Sequence, residues 1–154
     1  MERRISLAHV LALVGGLGLV AAFFMPWFSS QGLLLSGQFL HSFLASSNPA
    51  DLRRFLPNSS PTEVQLLRLL VDAFPTAGAI AALAALASGL VPQARALANV
   101  VLGATGLIAL AGWAGGITRL PAGANAETGL YLIAASALAI LVGLAFSLVS
   151  AESD

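Results

Sequence analysis

Four apolar segments, each free of Asp, Glu, Lys and Arg, take up more than half of this 154-residue chain. They run over about 5–28, 73–91, 97–117 and 129–149. A helix of about 20 apolar residues crosses a hydrocarbon core about 30 Å thick, and in lipid only helices and closed barrels satisfy all their own backbone polar groups. The segments therefore predict an all-α integral membrane protein. Its single membrane domain, 1–154, would be a four-transmembrane-helix bundle. The outer loop 29–72 would form a folded extramembrane cap of short helices or a short strand.

The remaining composition removes whole classes of function. Hydrophobic residues make up 58% of the chain and charged ones 9%, against about 25% charged in an average soluble domain. Seven Arg and no Lys balance seven acids, so no basic field exists to gather nucleic acid. Without Cys there are no disulfides, thiolate metal sites or iron–sulfur clusters. The first segment is longer than a signal-peptide core and ends in Met25-Pro26-Trp27-Phe28 without a cleavage motif, which predicts a retained span.

Arg3 and Arg4 precede that span, so the positive-inside rule keeps the N-terminus in the cytoplasm. With four spans the C-terminus joins it, together with the turn 92–96 that carries Arg95, while 29–72 faces outward. Trp27, Phe74, Trp113 and Tyr131 fall near the loop side, as an interfacial aromatic belt would.

In the loop, Ser60-Pro61-Thr62-Glu63 has the form of a capping box and predicts a helix over 61–73. Val64, Leu67, Val71 and Phe74 line one face of it, so it is expected to lie on the membrane surface, with Pro75 kinking or restarting the helix as it turns into the bilayer. Asn48-Pro49-Ala50-Asp51 is a second helix start, ended by Pro57. Residues 32–37 read as a strand and turn or as an unwound lead-in, and Ser36 could cap a helix through Phe43. Leu33 to Leu35, Phe39, Leu40 and Phe43 are too apolar for open solvent and need helix tops, headgroups or another protein to pack on.

Small residues recur at four-residue spacing in the spans: Ala77, Ala81, Ala85 and Gly89; Gly112 and Gly116; Ala135, Ala139, Gly143 and Ser147. Such stripes bring helix backbones together. Reactive groups are few. His9 lies one turn inside the first span and is the one candidate axial ligand for a pigment or haem, with no second imidazole or acidic ligand beside it. His41, Ser42 and Asp51 supply hydrolase residue types, yet no Ser has a strand–turn–helix elbow around it. No metal motif or nucleotide fingerprint occurs. The spans hold Asn99, Thr105 and Ser136 but no midplane ionisable group of the sort an ion-coupled carrier uses.

Four spans, a long first outer loop, a short second one of 11 residues, Pro26-Trp27 after the first span and a helix leading into the second resemble the claudin-type tetraspan layout. The Gly-Leu-Trp and paired-Cys signature of claudins is absent, so the likeness is one of layout. Phe24-Met25-Pro26-Trp27-Phe28 followed by Leu35-Ser36-Gly37 also resembles small bacterial four-span membrane proteins of unassigned function. The lack of Lys with heavy Ala, Gly and Leu usage fits a high-GC bacterial source.

These readings lead to one expectation: a non-catalytic accessory or structural subunit of a bacterial membrane complex, in the cytoplasmic membrane with both termini inside. It would need no cofactor or metal. Its partners would be the lipid bilayer and other membrane subunits or a second copy. The interaction candidates are Trp27, Phe39, Arg53, Arg54, Arg68, Gly112, Gly116, Ala139 and Gly143. The competing expectations are an oligomeric channel or small-solute transporter, and a pigment or haem binder through His9.

Overall fold

The computed structural model describes residues 6–48, 60–120 and 123–151. Its elements, in chain order, are α1 (Leu7–Phe24), β1 (Pro26–Ser30), β2 (Leu33–Ser36), α2 (Gly37–Ser46), α3 (Pro61–Leu90), a 3-10 turn (Pro92–Ala94), α4 (Arg95–Thr118), β3 (Ala124–Ala126) and α5 (Thr128–Ala151). α1, α3, α4 and α5 are each long and apolar enough to cross a membrane, as expected of a multi-pass membrane protein. They form a ring in which α1 and α4 each pack on both α3 and α5. The start of α1 and the end of α5 lie at one end of this ring, and the strands with α2 cap the other.

The bundle puts small residues inside and large apolar ones outside. On α1 the buried positions are Ala8, Ala12, Gly15, Gly16, Leu19 and Ala22, while Leu7, Val14, Leu17 and Phe24 are exposed. The other long helices expose Leu83, Leu97, Val100, Leu107, Leu138 and Phe146 in the same way. In water such a continuous apolar belt would be unstable; in lipid it is the solvated face, and association is driven by close packing of small residues. The adjacent pair Gly15-Gly16 divides between two neighbours. A Cβ on Gly15 would sit 2.6 Å from the Ser136 carbonyl oxygen of α5, and one on Gly16 would sit 2.6 Å from the Ala82 nitrogen and 2.8 Å from the Gly78 oxygen of α3. Gly143 repeats the contact further along, 2.7 Å from the Ala8 carbonyl oxygen.

The first helix stops at Phe24 rather than continuing to 28. Pro26 disfavours helical dihedrals at the preceding residue, and Met25 is extended (φ −86°, ψ 155°). The chain then turns into a β1–β2 hairpin whose two-residue loop, Gln31-Gly32, has positive φ at both positions (51° and 79°), the conformation whose twist matches that of paired strands. β3, from the short second outer loop, pairs with the far side of β1 in the register Phe28↔Ala126, Ser29↔Asn125 and Ser30↔Ala124. The resulting sheet order, β2-β1-β3, joins the two outer loops, which the sequence reading did not foresee. Ser36 accepts from the Phe39 amide at 3.1 Å and starts α2, which continues past Phe43 to Ser46.

The helix expected over 61–73 and the second span prove to be one 30-residue helix, about 45 Å long at 1.5 Å per residue. It runs without interruption through Pro75. Pro75 removes the hydrogen bond to the Val71 carbonyl, and beside that gap the Thr76 hydroxyl donates to the Asp72 carbonyl at 2.8 Å. Membrane helices accommodate proline through such local substitutes. The capping box is present as read: the Glu63 amide donates to Ser60 Oγ at 3.2 Å, and the Ser60 amide donates to Glu63 Oε2 at 2.7 Å. The Asn48–Asp51 helix start and Pro57 involve residues 49–59, outside the described residues.

Two outcomes follow from this packing. Gly16→Val should lower the unfolding free energy by about 1–3 kcal/mol, the usual cost of overpacking, whereas Val14→Leu on the lipid face should leave it unchanged; thermal unfolding in detergent distinguishes them. The Ser60 backbone and hydroxyl bonds hold the Glu63 carboxyl below its ordinary value of 4.5. The folded state therefore favours ionised Glu63, and the cap's contribution is complete above pH 4.5 and lost as pH falls through the lowered value. Amide exchange protection at Ser60 and Glu63 should fall in that acid range, and Glu63→Gln, which still caps, should flatten the dependence.

Candidate functional site

The cap is fastened to the bundle through Trp27. A bulge between Pro26 and Phe28 interrupts the β1–β2 register at Trp27, and bulges of this kind re-aim a side chain. Its ring is 5% exposed and meets the Phe74 ring edge to face, with centroids 5.2 Å apart. Its Nε1–H donates to the Ala22 carbonyl at 2.7 Å, which also accepts from the Met25 amide at 3.2 Å at the end of α1. Two glycines leave room for the indole: a Cβ on Gly37 would approach it to 2.5 Å and one on Gly129 to 2.8 Å. Glu127 ties the sheet to α5. Its amide donates to the Trp27 carbonyl at 2.9 Å, its carboxylate accepts from Ser29 Oγ at 2.6 Å, and its carbonyl accepts from the Leu130 amide at 3.0 Å in the first turn of α5.

Around this core the cap presents apolar side chains outward. Leu33 and Leu34 on β2 are 62% and 64% exposed, and Phe39 on α2 is 46% exposed with its ring stacked on Phe43. The outer edges of β2 and β3 have no strand partner among the described residues. His41 pairs with Asp72 across α2 and α3 (Nδ1 to Oδ1, 2.6 Å), and its ring lies against Phe23. This pair braces α2 against the bundle and gives the imidazole a carboxylate partner other than Asp51, which lies outside the described residues.

The opposite end holds a second grouping. His9 on α1, Ser88 on α3, and Asn99 and Ser147 on α4 and α5 line one cavity of about 10 Å3 with Ala8, Ala12, Leu102 and Gly143. That volume is about one water molecule. Ser147 Oγ donates to Asn99 Oδ1 at 3.3 Å, bridging two helices. His9 Nδ1 shares a hydrogen bond with the Ser6 hydroxyl, and the ring lies against Gly89. Ser88 and Thr105 return their hydroxyl protons to carbonyls of their own helices, Ala85 at 2.9 Å and Val101 at 2.9 Å. These groups are satisfied locally and do not form a continuous polar path.

The candidates from the sequence are thus dispersed. Trp27 is inside the cap and offers no surface for a partner; Phe39 and Arg68 are exposed at the cap end. Arg53 and Arg54 lie outside the described residues. Gly112 accommodates the Phe74 ring, where a Cβ would come within 2.7 Å, whereas Gly116 is exposed and only 3.5 Å from Leu130. Gly143 is buried against α1, Ala139 is half-buried, and Ala135 faces outward, so the α5 stripe only partly follows the contact. The missed positions are Gly15, Gly16, Gly37, Gly78, Gly129 and Glu127. The adjacent Gly15-Gly16 pair in the middle of the first span was the available signal. Nothing local marks Glu127, whose partners are about 100 positions away. No group of three potential metal ligands occurs among the described residues.

No family model matches the chain, and neither a curated protein nor a solved structure matches it.

Trp27→Ala should cost about 3–5 kcal/mol of stability, the usual range for a buried aromatic. Trp27→Phe, which keeps a ring but not the donor, should cost about 1 kcal/mol more than packing alone explains. Denaturant unfolding in detergent micelles, with exchange at the Met25–Phe28 amides, measures both.

Proposed function

We propose that this chain is a non-catalytic accessory or structural subunit of a bacterial membrane protein complex, held in the cytoplasmic membrane with both termini in the cytoplasm. It acts by contact: the bundle packs among other helices, and the cap docks a partner outside the membrane. The observation that carries this reading is the contrast between the two parts of the molecule. The bundle interior is closed by backbone-to-backbone contacts at Gly15, Gly16 and Gly78, with a water-sized cavity at one end. The cap instead holds Leu33, Leu34 and Phe39 at its surface beside an open strand edge, features suited to burial against another chain. The orientation rests on the positive-inside rule, applied to Arg3 and Arg4, which precede the first span in sequence, and to Arg95 in the turn between the second and third spans.

Mild-detergent purification of the tagged protein from its native membrane, read by native gel and mass spectrometry, tests the proposal. A defined set of membrane proteins at fixed stoichiometry is expected. Leu33→Ser with Phe39→Ser, both at exposed positions, should reduce recovery of that set about tenfold or more while leaving the melting temperature unchanged. Recovery of the chain alone, or only as a homo-oligomer, overturns the subunit reading.

A further inference from the structure

Between α3 and α4, at the end of the bundle where α1 begins and α5 ends, an open groove of about 290 Å3 is lined only by apolar side chains. Ile80, Leu83 and Ala87 form one wall, Leu97 and Val101 the other, and Ala94 stands at its mouth. Its depth is set by the helices. From Leu90 to Ile80 is about 15 Å along α3, and from Ala94 to Val101 about 10 Å, so the groove ends near mid-bilayer, about one leaflet deep. A partner helix crossing the membrane would contact the bundle over twice that depth. A lipid acyl chain entering from the near leaflet stops where the groove stops.

The mouth supplies the second half of the argument. Arg95 is exposed, next in sequence to Ala94 and three residues before Ala98 on the groove floor. It is the one Arg, Asp or Glu at this end among the described residues; Glu63, Asp72 and Glu127 are all at the cap end. A guanidinium with no acid at its end among the described residues, one position from the mouth of an apolar slot, complements a phosphate whose acyl chain fills the slot. We propose that the α3–α4 groove and Arg95 form a binding site for an anionic glycerophospholipid of that leaflet. This inference is independent of the accessory-subunit reading.

The test is native mass spectrometry of the delipidated protein titrated in detergent with phosphatidylglycerol or phosphatidylcholine. The wild type should retain phosphatidylglycerol over phosphatidylcholine by about fivefold, the effect of one juxtamembrane cation. Arg95→Gln should bring the two lipids to parity, Arg95→Lys should keep most of the preference, and Arg68→Gln at the opposite end should change nothing. Ala87→Phe, at a half-buried rim position, should reduce retention of both lipids; Ala94→Leu serves the same purpose should the phenylalanine perturb folding. Equal retention of both lipids by the wild type, an unchanged preference in Arg95→Gln, or full lipid retention in both groove-filling variants overturns the site. So does loss of a protein companion, rather than of lipid, in the filled variants, because that assigns the groove to helix docking.

Discussion

The structure depends on the approach of three helix backbones at Gly15-Gly16. Successive residues on a helix point about 100° apart, so one glycine faces α5 and the other α3, and α1 is in backbone contact with both. In water the apolar side chains themselves would drive helices together. In hydrocarbon that force is missing, and dispersion between closely fitted surfaces replaces it. The distribution of residues follows from this substitution: Ala and Gly fill the contacts, Leu19, Ile133 and Ile140 fill the remaining interior, and the larger share of Leu and Val meets lipid.

A bundle closed in this way differs at its two ends. At the cap end, Trp27 converts the termination of α1 into the start of a sheet, and Gly37 and Gly129 let α2 and α5 begin directly against its ring. Glu127 then binds the second outer loop to the first, so segments about 100 positions apart become one rigid layer. At the other end no such layer occurs among the described residues. Four polar side chains, one from each spanning helix, surround a water-sized space, and an apolar groove lies between α3 and α4.

The helix signals that depend on neighbours in sequence were readable, and those that depend on distant residues were not. Ser60 and Glu63 form their capping box because all its atoms come from four consecutive residues. Pro75 was expected to kink or restart the helix; the helix continues through it without a restart, with Val71 and Phe74 buried against other parts of the bundle. The β3 strand of Ala124–Ala126 is too short to show alternation and exists because β1 offers it an edge. The four-residue spacing of Ala135 and Ala139 suggested a contact face, but the face actually buried runs through Ile133, Ala137 and Ile140.

The sequence by itself determined the number of spans and where the loops fall, because hydrocarbon thickness and backbone hydrogen bonding act on every segment independently of the others. Only the tertiary structure decided which glycines meet, that the two outer loops share a sheet, that Trp27 turns inward, and that His9, Ser88, Asn99 and Ser147 reach one cavity. Each of those outcomes is a distance between residues remote in the chain, and such distances are fixed by the mutual fit of helices rather than by the preferences of any one of them.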